Sequence, residues 1–245
     1  MRIKLLAACL ALGTGINAFA QTSTNAPAPN RPGQAVFAGG GDNRSVFAKP
    51  TIKDLMQNDR FTNATGMVMV KISDALWAGM YLVTQEEYGK VAGVNPSHFR
   101  NDRNPVDSVS WNDAMSFCRR LVDAEQKEEM MPEGYTYTLP TQAQWENMAS
   151  GTSLENSVTS LKGTRSGTAP VGSLRANGMG LYDTRGNVWQ WCLDPADKPY
   201  RVLRGAAWNE WREVNLRPEF RWYSNGPEDK QDIYGFRVVL VRTGE

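Results

Sequence analysis

Histidine is almost missing from this chain: its 245 residues include one, His98. Sites built on two or three imidazoles therefore cannot be assembled. Cysteine is nearly as scarce, with three residues; Cys9 lies in an N-terminal apolar run, which leaves Cys118 and Cys192. A surplus of one charge is lacking too. Twenty-seven basic residues against 26 acidic give a formal net charge of +1. No basic stripe recommends nucleic acid, and no acidic tail recommends a basic partner. Beyond the N-terminal run no apolar stretch approaches the ~20 residues that span a bilayer. What is plentiful is aromatic rings and glycine: eight Trp, eight Tyr and eight Phe beside 22 Gly. That balance describes a loop-rich fold pinned by large rings, not a helical bundle. The length allows one sizeable core.

Arg2 and Lys4, the apolar run Leu5 to Ile16, and Ala18-Phe19-Ala20 before Gln21 predict a signal peptide over residues 1–20. Leu6-Ala7-Ala8-Cys9 spells a lipidation box, but lipidation at Cys9 would leave almost no apolar region ahead of it. The expected location is periplasm, cell surface or medium, with no membrane span after signal removal. Residues 21–60 read as a low-complexity arm of Thr, Asn, Ala and Pro with Gly39-Gly40-Gly41. The arm has too few branched and aromatic residues to offset the entropy of ordering. One short helix is expected around Thr51 to Gln57, and the folded domain over 61–245. An oxidising compartment permits Cys118 and Cys192 to pair. Their apolar settings, Ser116-Phe117-Cys118 and Trp191-Cys192-Leu193, equally suit two separate buried thiols, the reading favoured here.

Met67 to Ile72 reads as a strand. Three capping boxes then announce helices: Thr84 with Glu87, closed by Gly93; Ser110 with Asp113; and Thr141 with Gln144, ending before Gly151. In the second, Trp111, Ala114, Cys118 and Leu121 recur at helical spacing, with Asn112, Ser116, Arg119 and Arg120 opposite. Tyr135, Tyr137 and Leu139 alternate as a half-buried strand. Short strands are expected at Val188 to Cys192, Tyr200 to Leu203 and Gly235 to Val241, with Glu210 to Tyr234 a long irregular loop. Loops that long carry function or shape a groove. Trp111, Trp145, Trp189 and Trp191 are expected as core anchors, and His98 as a loop residue bonded to nearby backbone. The class is α+β with few helices and short strands.

Several phrases occur in a telling order. Tyr81-Leu82-Val83-Thr84 leads to Asn95-Pro96-Ser97-His98-Phe99, then Val109-Ser110-Trp111-Asn112-Asp113-Ala114, then Leu139-Pro140-Thr141 with Trp145-Glu146. Gly167-Thr168-Ala169-Pro170-Val171-Gly172, Gly180-Leu181-Tyr182-Asp183, Gly186-Asn187-Val188-Trp189, Leu203-Arg204-Gly205 and Gly235-Phe236-Arg237 follow. With them the chain resembles the sulfatase-modifying-factor (formylglycine-generating enzyme) family from residue 66 to 241. The resemblance implies a compact, irregular variant of the C-type lectin fold.

In the active enzymes of that family, two cysteines five residues apart precede the terminal Gly-Phe-Arg, bind copper and activate oxygen to oxidise a sulfatase cysteine. Here the stretch from Gly205 to Arg221 has no cysteine, and Glu213 and Pro218 fall at the two positions. A carboxylate and a proline ring cannot form a soft thiolate copper site or undergo thiol exchange. The resemblance therefore implies no catalytic residue and no copper, and the single histidine excludes the iron-dependent branch. The family's calcium phrase, Gly-Asn-x-Trp-Glu, reads Gly186-Asn187-Val188-Trp189-Gln190. Asn187 and Gln190 remain as weak calcium candidates only, because Gln lacks the charge and bidentate option of Glu.

Two functions are compatible with these residues. One is a non-catalytic binding or scaffold module that keeps the family groove for a protein or peptide partner. Trp208, Trp211, Arg212, Arg217, Arg221, Trp222 and Tyr223 would line it, being residue types that dominate binding hot spots. The same side chains could instead anchor a long loop. The other function is an enzyme with a non-cysteine site, using Glu210, Glu213, Glu219, Asp229 or Asp232 as acid–base groups.

Overall fold

The computed structural model describes residues 56–195, 199–224 and 226–244. The expected signal peptide and most of the arm lie outside the described residues. So does the expected Thr51–Gln57 helix, apart from Met56 and Gln57, which lie in a turn.

All three capping boxes form as the sequence predicts. Helix α1 (Gln85–Ala92) starts where the Thr84 hydroxyl accepts from the Glu87 amide and Glu87 accepts from the Thr84 amide; Gly93, at φ +79°, closes it. Helix α2 (Trp111–Lys127) is capped by Ser110 and Asp113, and α3 (Gln142–Ala149) by Thr141 and Gln144. Each cap contributes about 1 kcal/mol. On α2 the stripe Ala114, Phe117, Cys118 and Leu121 is buried. Trp111 departs from the core role expected of it. It is half-buried at the first turn, where its indole donates to the Cys192 carbonyl at 2.9 Å under the Arg201 guanidinium.

Two sheets flank these helices. Strands β1 (Arg60–Thr62), β2 (Val68–Ser73), β3 (Leu76–Gly79), β4 (Tyr135–Thr138) and β9 (Val239–Arg242) form an antiparallel sheet in the order β1-β2-β3-β9-β4. Strands β5 (Trp189–Pro195), β6 (Arg201–Arg204), β7 (Trp222–Tyr223) and β8 (Tyr234–Gly235) form the second, in the order β7-β6-β5-β8, with β8 parallel to β5. Side-chain alternation divides the apolar residues. Leu240 of β9 lies across from Trp77 and Tyr137 and joins the cluster under α2 with Phe117, Leu121, Trp191 and Phe236. Val239 points the other way, into a cluster of Ala78, Trp145, Cys192 and Val202 beside α3.

Three strands (β1, β3, β7) were not anticipated, and the expected strand Gly235 to Val241 is two strands in different sheets. The chain leaves the second sheet at Gly235, where a Cβ would stand 2.5 Å from the Val106 carbonyl oxygen, and enters the first at Val239. Between them lies Arg237, fully buried. Its guanidinium donates to the carbonyls of Gly79 (2.6 Å), Met80 (3.0 Å) and Tyr182. Burial draws the Arg237 pKa down to about 10, against the opposing pull of the buried Asp183 carboxylate. Arg237→Met removes the donor shared by three carbonyls, of which Met80 keeps the Tyr182 amide, and strips the buried Asp183 carboxylate of its nearby cation. Urea unfolding should then give a loss of about 3–5 kcal/mol; a loss below about 1 kcal/mol would show that the guanidinium is dispensable.

Candidate functional site

The long connection from β6 to β8 is folded by its own polar groups. Glu210 directs the first bend: one carboxylate oxygen accepts the amides of Trp211 (3.2 Å) and Arg212 (2.9 Å), and the other accepts the Asn215 side-chain amide at 2.9 Å. Ser160 ties this bend to the neighbouring loop, its amide donating to the Glu210 carbonyl and its hydroxyl to the Trp208 carbonyl. Leu216 plugs the following 3-10 turn into the core. Trp211 is left 69% exposed, with the Arg212 guanidinium 5.3 Å from its ring centre.

The chain then enters β7. Trp222 pairs with Leu203, which pairs with Trp191, so these three share a face; Tyr223 pairs with Val202 on the other. The Trp222 indole donates to the Tyr234 hydroxyl at 3.1 Å, and its ring lies 5.9 Å from that of the buried Trp189. It is nevertheless 41% exposed. Trp189, Trp211 and Trp222, with Asn209, Glu210 and Arg212, line a shallow cleft of about 190 Å³. Roomier depressions lie elsewhere. One of about 440 Å³ sits over Trp77 and Tyr135, and one of about 360 Å³ lies among Leu154, Leu161, Arg165 and Glu213.

The structure therefore divides the seven groove candidates. Trp211, Arg212 and Trp222 meet in the cleft. Trp208 is partly buried and packs edge-on against Phe99 at 5.3 Å, so it serves the core. Arg217 is exposed at the end of the 3-10 turn. Arg221 and Tyr223 do not line the cleft; Arg221 comes within 4.0 Å of Glu146. Sequence reasoning took Trp189 for core alone and overlooked Asn209. The alternation of Trp189 and Trp191 along a strand is the signal that places Trp189 on the face of Trp222.

The two positions where the resemblance places cysteines have separate surroundings. The carbonyl of Pro218 accepts from the buried Arg204 at 2.6 Å, and that guanidinium also bonds Glu146. Glu213 lines the depression with Arg165. Of the five carboxylates considered for acid–base chemistry, only Glu210 lines the cleft. The two calcium candidates differ: both oxygen and nitrogen of Asn187 are engaged, while Gln190 engages its amide nitrogen and leaves its buried side-chain oxygen without a partner. Asn187, at φ +65°, exchanges hydrogen bonds with the Ala169 backbone and donates to Asp183. The Gln190 amide donates to the carbonyls of Asp183 (3.2 Å) and Thr184 (3.1 Å), presenting N–H groups to oxygens of the kind that coordinate calcium. His98 is held through its backbone, its amide donating to Asp107 at 2.6 Å.

Three capped helices, two short-stranded sheets and long polar-folded loops define an irregular α+β domain of the C-type-lectin-like kind, as the resemblance implied. The Sulfatase-modifying factor enzyme 1-like domain matches residues 55–242, and the chain belongs to that family. It is 28% identical over 233 residues to the chaperone protein LppX of Paenibacillus barcinonensis, covering 69% of this chain and 81% of that one. It is 31% identical over 156 residues to inactive C-alpha-formylglycine-generating enzyme 2 of Mus musculus, covering 55% of this chain and 48% of the mouse protein, about half its length. The solved structure of Treponema denticola variable protein 1 shares the fold, with a TM-score of 0.60 and 22% identity, covering 75% of this chain and 94% of that one.

Cys118 and Cys192 are both buried and unpaired, as favoured from their apolar settings. Burial pushes the Cys118 thiol up to about 12, and the Cys192 thiol is raised for the same reason. Thiolate is the reacting species, so both should resist iodoacetamide at pH 8 in the folded protein and alkylate fully in denaturant. Mass spectrometry of residues 21–245, which lack Cys9, reads the result; one label gained under native conditions would contradict this burial.

Proposed function

We propose that this chain is a non-catalytic, exported member of its family that binds a protein or peptide partner through the Trp211–Arg212–Trp222 cleft. The observation that carries the reading is Trp222: hydrogen-bonded to Tyr234 and packed at a tilt against Trp189, yet 41% exposed. A ring already fixed in place loses little entropy when a partner covers it, which is the character of a binding anchor. Glu213 and Pro218 at the cysteine positions support the absence of the family's oxidation chemistry. One relative is named inactive and another a chaperone protein, which supports a role exercised on other proteins.

The enzyme alternative draws less support. Glu210 shapes its own loop, and the other four carboxylates lie outside the cleft lining. No copper requirement is proposed, nor any nucleic-acid partner. Calcium affinity is proposed to be weaker than millimolar, since Asn187 is held by the Ala169 backbone and Gln190 offers one neutral oxygen where a glutamate would offer a charged pair.

Residues 21–245, incubated with a Cys-x-Pro-x-Arg peptide with and without copper, should produce no formylglycine above a buffer blank. Aldehyde detected by mass spectrometry at the peptide cysteine would sink the non-catalytic reading. A second test separates cleft from scaffold. Trp211→Ala should weaken capture of the partner from a periplasmic or surface extract while changing unfolding free energy by no more than about 0.5 kcal/mol. Trp145→Ala should cost about 3–5 kcal/mol, because it empties a fully buried site. Arg217→Ala, off the cleft, should leave capture unchanged. Equal destabilisation by Trp211→Ala and Trp145→Ala would make the exposed tryptophan a structural strut.

A further inference from the structure

Resting on that reading, we infer that the cleft selects one ring-bearing side chain beside a carboxylate, in an extended peptide lying along β7. Size limits the occupant first. At about 190 Å³ the cleft is smaller than the ~300–1,000 Å³ of sites for drug-sized ligands, so it admits a single ring. Its walls suit an aromatic ring. Trp189 and Trp222 are tilted by 31° at 5.9 Å and present an ordered π-surface, against which a further ring packs edge-on or offset.

Charge decides what stands next to the ring. Two charged residues line the cleft, Glu210 and Arg212. The Glu210 carboxylate already accepts from the Trp211 amide, the Arg212 amide and the Asn215 side chain. Its side chain is only 10% exposed, whereas that of Arg212 is 52% exposed. The contact between the two runs through Arg212 Nε at 3.5 Å, which leaves the terminal nitrogen pair for a second carboxylate. The cleft thus offers a cation to its ligand while its anion is occupied within the loop. An aspartate or glutamate beside the inserted ring complements it.

Topology decides the backbone. Trp222 belongs to β7, the outer strand of the four-stranded sheet. An extended segment can lie along such an edge while one side chain enters the adjoining pocket. Helical or globular partners would have to turn a ring into a narrow cleft at a sheet edge. A short extended segment meets that geometry directly.

The test follows the indole N–H signals of Trp211 and Trp222 by NMR in the folded chain, titrated with blocked dipeptides. N-acetyl-Asp-Phe-amide should shift both signals and bind about two- to fivefold more tightly than N-acetyl-Lys-Phe-amide at low salt, the range of an exposed ion pair. In 1 M salt, where the Debye length is about 3 Å, the difference should close. Arg212→Gln should abolish the preference at low salt while keeping the Phe-dependent shifts. N-acetyl-Asp-Ala-amide should bind more weakly than the Phe peptide. Equal affinity for the Asp-Phe and Lys-Phe probes overturns the charge assignment and leaves the cleft a peptide site. Equal affinity for Asp-Phe and Asp-Ala overturns the ring assignment. Saturable binding of methyl glucoside in place of the peptides assigns the cleft to sugars and overturns the peptide inference. No shift with any probe removes the cleft from both this inference and the function proposed above.

Discussion

A single guanidinium holds the two halves of this domain in register. Arg237 sits where the chain passes from one sheet to the other, and its donors reach carbonyls at the end of β3 and in the Tyr182 loop. Gly79 ends β3 and the other two carbonyls lie in the turns beyond it, where the Met80 carbonyl also accepts the Tyr182 amide; backbone groups out of contact with water require a partner. An arginine can reach several at once because its donors fan out in a plane. The cost is a cation with no access to water, eased by Asp183 and visible in a pKa drawn down to about 10. The polar loops around it can stay irregular because this charge organises them.

The same economy of means recurs at the cleft. Glu210 does for the 209–215 bend what Arg237 does for the sheet junction: one buried or half-buried ionic group gathers several backbone and amide partners and so fixes a loop without regular structure. The result is an aromatic surface that is exposed but not loose. Trp222 takes its orientation from Tyr234 and Trp189, both in the core, so the exposed face is an extension of the interior. Glu146 and Arg204 close the opposite side of the loop at Pro218, so that one of the two positions where the resemblance places a cysteine is part of a charge-paired brace.

Much of the fold was legible in the residues. The capping boxes, local by nature, located the three α-helices of the described residues, because a hydroxyl and an acid or amide three residues on define a helix start with no help from distant chain. The family phrases supplied the architecture. What escaped were features decided at long range. Strands β1 and β7, of three and two residues, carry no periodicity of their own and exist because a longer neighbour pairs with them. The apolar run from Gly235 to Val241 looks continuous, and only its packing against Val106 and the reach of Arg237 break it between sheets. At the site, residue type pointed to the right loop, but not to which members converge. The alternation of Trp222 and Tyr223 separates neighbours that composition treats as equals. Trp111 was placed at the correct helix start, yet its half-exposed stacking with Arg201 depends on a strand ninety residues away.

The position of β9 carries a temporal consequence. It is inserted between β3 and β4, strands made more than a hundred residues earlier, and is hydrogen-bonded to both. Until residues 239–242 emerge, β3 and β4 face each other across an empty lane and the first sheet cannot close. A nascent chain threading outward from its N-terminus therefore holds no finished sheet for most of its synthesis. An inner lane of the first sheet is filled by the last of its strands in sequence.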